Sequence, residues 1–143
     1  MPITLGAEPE NSFAAPIGLL SDCHRRIEKF LNALIALVAQ TSAAASGELG
    51  SETAALNDTQ RHALEVALRY FREAAPRHTQ DEEESLFPRM RACSDEAVPI
   101  ALASLDALEA DHDRAEAAHA EVEALGQNWL SNGHVSVHDL DRL

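Results

Sequence analysis

Arg77-His78-Thr79-Gln80-Asp81-Glu82-Glu83-Glu84-Ser85-Leu86-Phe87-Pro88 is the stretch that decides how this chain is read. His78 and Glu82 are four residues apart, so on a helix they lie one turn above the other on a single face. That is how a helix offers two ligands to one metal centre. The stripe they occupy runs upstream through Leu64, Leu68, Phe71 and Ala75 and downstream to Leu86. Such three- and four-residue spacing is the seam of a helix packed in a bundle, here with a histidine and a carboxylate inside it. Pro76 removes a backbone donor and predicts a bend just before His78. Asn57 followed by Gln60 matches a capping box and sets the start of the helix.

Two more seams flank this one. Pro16 suits a first helical turn, and Leu20, His24, Ile27, Leu31, Leu34 and Val38 follow it at bundle spacing. This helix is expected to end near Thr41, with Gln40 to Thr59 as a connection. After a loop and helix start at Ser94, Asp95 and Glu96, a third seam runs through Leu105, Leu108, His112, Ala115, His119, Val122 and Trp129. Asn132-Gly133 is a helix stop, and Ser136-x-x-Asp139 opens a fourth helix that is cut off after about two turns. The expected fold class is all-α, an up-down four-helix bundle with the fourth helix mostly missing from the chain. Residues 1–15 read as an irregular arm and 16–143 as one helical domain.

Composition agrees and narrows the function. The 143 residues are 45% hydrophobic but only 4% aromatic, and Ala and Leu dominate, which favours helix over sheet. Eleven basic against 24 acidic residues give a net charge of -13, which repels nucleic acid and anionic lipid and draws in cations. No signal-peptide pattern and no apolar run of about 18 residues is present, so the expectation is no membrane role and a cytoplasmic location. Cys23 and Cys93 are too few for a disulfide framework and read as reduced thiols.

Counting along the helices tests whether the candidate ligands meet. His24 lies about 17 residues before the expected end of its helix, and His78 about 21 after the start of the next, an offset of roughly one turn. His78 is about 13 residues from its helix end, and His112 about 13 to 17 from its helix start. His24, His78, Glu82 and His112 therefore come out at nearly one level. A single histidine in a seam is ordinarily a core residue bonded to a backbone carbonyl. Three imidazoles and a carboxylate buried together are costly unless they pair or coordinate a cation. Oxygen and nitrogen donors without thiolate suit iron or manganese better than a structural zinc, and these residues alone do not choose the metal.

At these positions the chain resembles the hemerythrin-like, or HHE cation-binding, domain family. The likeness rests on His24 in Cys-His-Arg-Arg-Ile-Glu, on His78-x-x-x-Glu82 running into Glu-Glu-Glu-Ser-Leu-Phe-Pro, and on His112 in Glu-Ala-Asp-His-Asp-Arg-Ala-Glu. It implies a four-helix bundle around two carboxylate-bridged iron ions, with His24, His78 and His112 as ligands and Glu82 as the bridge. Oxygen binding, or sensing of oxygen, redox state or iron, would be its role. The family's further His-x-x-x-Glu pair from the fourth helix would fall near position 156, beyond this chain. Its oxygen carriers also place a second histidine where this chain has Glu116, which favours a sensing or redox role over oxygen storage. Glu116 reads either as a further carboxylate ligand or as a solvent-facing neighbour.

The remaining polar residues read as support or surface. His119 lies two turns from His112, about 10.5 Å along the axis, too far to share an ion, and suits the core or a place behind the ligands. His62, His134, His138 and Glu28 read as surface residues, Glu83 and Glu84 as solvated residues turned away from the seam, and Cys23 as a core thiol. Two other functions stay open on sequence: a metal-free helical interaction module and a di-iron oxidase or peroxidase-like enzyme. If the fourth helix is truly absent, the bared face also predicts a homodimer or helix donation.

Overall fold

The computed structural model describes residues 16–47, 52–94, 98–140 and 142. The irregular arm at 1–15 and the helix start at Asp95 and Glu96 lie outside the described residues. The elements are α1 (Pro16–Gly47), β1 (Thr53–Ala55), α2 (Asp58–Glu73), α3 (Ala75–Asp81), a π-turn (Glu82–Leu86), α4 (Phe87–Ala92), α5 (Val98–Asn132), β2 (His134–Ser136) and α6 (Val137–Leu140). The fold is all-α, as the composition predicts, with one two-stranded ribbon among the described residues. Among the described residues no helix is long and apolar enough to cross a membrane.

The predicted seam of α2 is the packed one. Leu64, Ala67, Leu68, Phe71, Ala75, His78 and Glu82 are all buried, and α2 packs against both α1 and α5. The Asn57–Gln60 capping box forms, with Gln60 N–H donating to Asn57 Oδ1 at 2.9 Å and Asn57 N–H to Gln60 Oε1 at 3.0 Å. From α1 come Leu34, Leu37, Thr41 and Ala45. Thr41 satisfies its buried hydroxyl by donating back to Leu37 O. Trp129, fully buried, closes the core from α5, and Leu140 from α6 is buried with it. Gly126 lets α5 approach α2, since a Cβ there would stand 2.6 Å from Leu68 Cδ1.

Several boundaries differ from the sequence reading. α1 continues past Thr41 to Gly47, because Ala43-Ala44-Ala45 are strong helix formers that no Pro or Gly interrupts. The connection that follows also holds a strand. Thr53, Ala54 and Ala55 pair antiparallel with Ser136, Val135 and His134, and Trp129 Nε1–H donates to Ala54 O at 3.2 Å. Gly133 ends α5 as expected, with φ 77° and its N–H on Trp129 O at 2.9 Å. Ser136 caps α6, accepting from Asp139 N–H at 3.1 Å. Leu31 and Leu108, expected in the seams, are 40% and 42% exposed, as no described element packs over them.

The helix bearing the ligands is broken twice. It is interrupted at Ala74, just ahead of Pro76 and before His78, where the bend was expected. It then widens at Glu82–Leu86, where Phe87 N–H donates to Glu82 O, five residues back. In a regular helix the ring of Pro88 would press on the carbonyl of Glu84, four residues back, and the wider turn upstream relieves that clash. The buried residue after Glu82 is consequently Phe87, whereas Leu86, assigned to the stripe by spacing, is half-buried. Arg91 fastens α4 to α5 with hydrogen bonds to both carboxylate oxygens of Glu109 at 2.9 Å and to Asp106 at 3.3 Å. Those bonds hold the Glu109 carboxyl below its usual range.

His119 is half-buried on α5 with its ring 4.8 Å from that of Phe71. Burial pushes its imidazole below the ordinary value of 6.5, because the apolar neighbourhood disfavours the charged form. The unfolded chain therefore takes up this proton more readily than the folded one. Stability from His119 is complete above pH 6.5 and declines as pH falls below it. In His119→Phe, urea midpoints measured between pH 7.5 and 5.5 are expected to fall less than in the unaltered protein. An equal fall in both would assign the dependence elsewhere.

Candidate metal centre

His24 from α1, His78 from α3, Glu82 from the π-turn and His112 from α5 converge. His24 Nε2 and His78 Nε2 are 2.9 Å apart, with the rings edge to face. Glu82 Oε1 lies 3.4 Å from His78 Nε2 and 3.6 Å from His24 Nε2. Its other oxygen, Oε2, lies 3.3 Å from His112 Nε2. One buried carboxylate thus presents a different oxygen to each side of the cluster. The sequence count that put these four residues on one level is matched by their meeting in space.

The donor set fits a cation. His24, His78 and Glu82 each place one ligand atom within 4.8 Å of the others. Two imidazole nitrogens bound side by side at about 2.1 Å from one ion stand about 3 Å apart, close to the separation found. Burial pushes His78 below its ordinary value; Glu82 opposes that shift, and His24 and His112 reinforce it. A neutral imidazole is the form that ligates. His78 Nδ1 is buried without a hydrogen-bond partner, so the ring is oriented by packing and by what its Nε2 faces. Exposure is uneven: the side chain of His78 is 6% exposed and that of His24 57%.

Glu83 is the residue the sequence reading misplaced. Expected to turn away to solvent, it accepts from His112 Nδ1–H at 2.7 Å. The π-turn is the reason: five residues share a turn that normally takes fewer, so Glu82 and Glu83 both face α5. With Nδ1 carrying the proton, the lone pair of His112 Nε2 is directed at Glu82 Oε2, an arrangement attractive only with a cation or proton between them. Phe87, swung inward by the same turn, stacks parallel to His112 at 6.1 Å. The available sequence signal was Pro88, whose missing N–H marks a disturbed helix.

Glu83→Gln should leave the fold intact and weaken metal binding about ten- to a hundredfold, the usual effect of losing such a partner. Titration of metal into the stripped variant measures it. Unchanged affinity would make the 2.7 Å contact incidental.

The other candidates lie apart. Glu116 is exposed on α5, one turn beyond His112, and among the described residues it has no hydrogen bond or ion pair. His62, His134, His138 and Glu28 are exposed, as expected. Glu84 is exposed and accepts from Gln80 at 3.1 Å. Cys23 is half-buried and Cys93 exposed, both as free thiols.

A helical bundle that gathers imidazoles and a carboxylate from separate elements defines the class of candidate metal-binding helical proteins. Within that class, the chain belongs to the hemerythrin HHE cation-binding domain family, whose model matches residues 15–142. No curated protein and no solved structure matches it.

Proposed function

We propose that the protein binds non-haem iron as two ions bridged by Glu82, and that it serves in oxygen binding or in sensing oxygen, redox state or iron. The observation that carries this reading is the division of the Glu82 carboxylate, with Oε1 toward His24 and His78 and Oε2 toward His112. A carboxylate shared in this way suits a bridge, and nitrogen and oxygen donors without thiolate suit iron, with manganese the nearest competitor. Ferrous iron with an open coordination position supplies O₂ binding or one-electron redox chemistry. The chain's own part is to hold His78 neutral through burial and to fix His112 through Glu83. Phe87 and the α2 seam keep water from the inner side. On this reading Glu116, exposed one turn beyond His112, is a further carboxylate ligand when metal is bound.

Metal analysis and absorption spectra of anaerobically purified protein, before and after air, test the proposal. About two irons per chain with a spectrum that changes in air are expected. Below about 0.2 iron per folded chain, or a stoichiometric metal other than iron, would overturn it.

A further inference from the structure

Between α2 and α5, away from the ligands, the surface opens into a groove of about 410 Å³. Arg61, Glu65, Arg69 and Arg72 line it from α2, spaced four, four and three, so all project from one face. Arg72 precedes His78 by about 9 Å along the helix and Arg61 by about 25 Å, so the groove is separate from the metal cluster. Val66 and Leu130 add carbon surface.

Three guanidinium groups and one carboxylate, Glu65, line the groove, with Glu123 and Glu73 beside Arg72 at its edge, in a chain with 11 basic and 24 acidic residues. Elsewhere the arginines sit beside surplus carboxylates: Arg25 on Asp22, Arg91 on Glu109, Arg114 on Asp111. In the groove, Arg61 donates Nη1–H to Leu130 O at 2.6 Å and so caps the end of α5. Arg72 reaches Glu123 at 2.6 Å. Arg69 has no hydrogen bond or ion pair among the described residues.

We propose that this groove binds a small organic phosphate of about mononucleotide size. Its volume falls in the range of roughly 300–1,000 Å³ common to small-molecule sites. Guanidinium forks match phosphate oxygens in pairs, and Arg69 has its donors free for that purpose. Val66 and Leu130 offer surface to a carbon skeleton. Glu65 repels a bare anion and accepts from a hydroxyl or amino group, which selects an esterified phosphate over the inorganic ion. The protein's negative field opposes approach, but it is screened beyond about 8 Å at physiological ionic strength, inside which the unpaired guanidinium of Arg69 is the nearest charge. The proposal does not depend on the identity of any bound metal.

Calorimetric titration of the full-length protein in 150 mM salt, buffer strength set by about physiological screening, tests it with AMP, glucose 6-phosphate, inorganic phosphate and adenosine. Saturable binding is expected for at least one of the two esters, weaker binding for inorganic phosphate and none for adenosine. Arg69→Ala and Arg72→Ala should each weaken ester binding about tenfold or more, while Arg142→Ala, a charge loss outside the groove, leaves it unchanged. Glu65→Gln should narrow the preference for ester over inorganic phosphate. Circular dichroism checks that each variant is folded. Failure of both esters to saturate, adenosine binding as tightly as AMP, or full ester affinity in Arg69→Ala would each overturn the proposal.

Discussion

Glu82→Ala is expected to lose metal by more than about a hundredfold in affinity, beyond the range that removal of an outer partner produces, or at least about 2.7 kcal/mol. The reason is geometric. Among the described residues Glu82 is the group within reach of His24, His78 and His112 together, and without it the Nε2 atoms of the three imidazoles lose the carboxylate they share, leaving Glu83 on the Nδ1 side of His112. In the metal-free protein the sign is less punishing. A buried carboxylate is costly to desolvate, so the stripped Glu82→Gln variant should be at least as stable as the stripped parent. Metal content per chain, read beside helix content and thermal midpoint with and without chelator, separates the two effects. Full metal content in a folded Glu82→Ala protein would mean that the cluster is not the site.

Trp129→Ala should destabilise the fold by about 3–5 kcal/mol, a large share of the roughly 5–15 kcal/mol available to a typical domain. Trp129 is 0% exposed and lies in the cluster that joins α1, α2 and α5 to the ribbon and α6. Its loss removes the largest fully buried side chain and the bond from Nε1–H to Ala54 O. Trp129→Phe keeps most of the volume and loses only the polar contact, so it should cost less, on the order of 1–2 kcal/mol. Urea unfolding measures both. Trp129 is 17 residues from His112, about 25 Å along α5, so metal affinity in the folded fraction should not change. A loss below about 1 kcal/mol for the alanine variant would contradict the packing described.

The sequence revealed the α2 seam and the ligand level because both rest on periodicity, which burial enforces residue by residue. Leu64, Leu68, Phe71, Ala75, His78 and Glu82 had one packed solution. Local chemistry was legible too, in the Asn57–Gln60 box, the Gly133 stop and the Ser136 cap. What could not be read was whatever departs from the helical period. The π-turn shifts every later residue around the axis, so Leu86 and Phe87 exchange places and Glu83 is recruited. Three-residue strands have no period of their own, so the ribbon between 53–55 and 134–136 left no trace. Leu31 and Leu108 carry the seam pattern but stay exposed, since spacing says which face is apolar and not whether anything covers it.

A π-turn is an α-helix carrying one residue too many, so the stretch from Glu82 to Leu86 has the form of a healed insertion. His78, ahead of it, and Glu82, its first residue, keep the ordinary relation of neighbours on a turn; Glu83 within it and Phe87 after it acquire a new alignment toward α5. The chain can therefore vary the groups that surround a ligand without disturbing the ligand pair itself. Selection acting on the length of this one turn could retune the site while leaving its donors untouched.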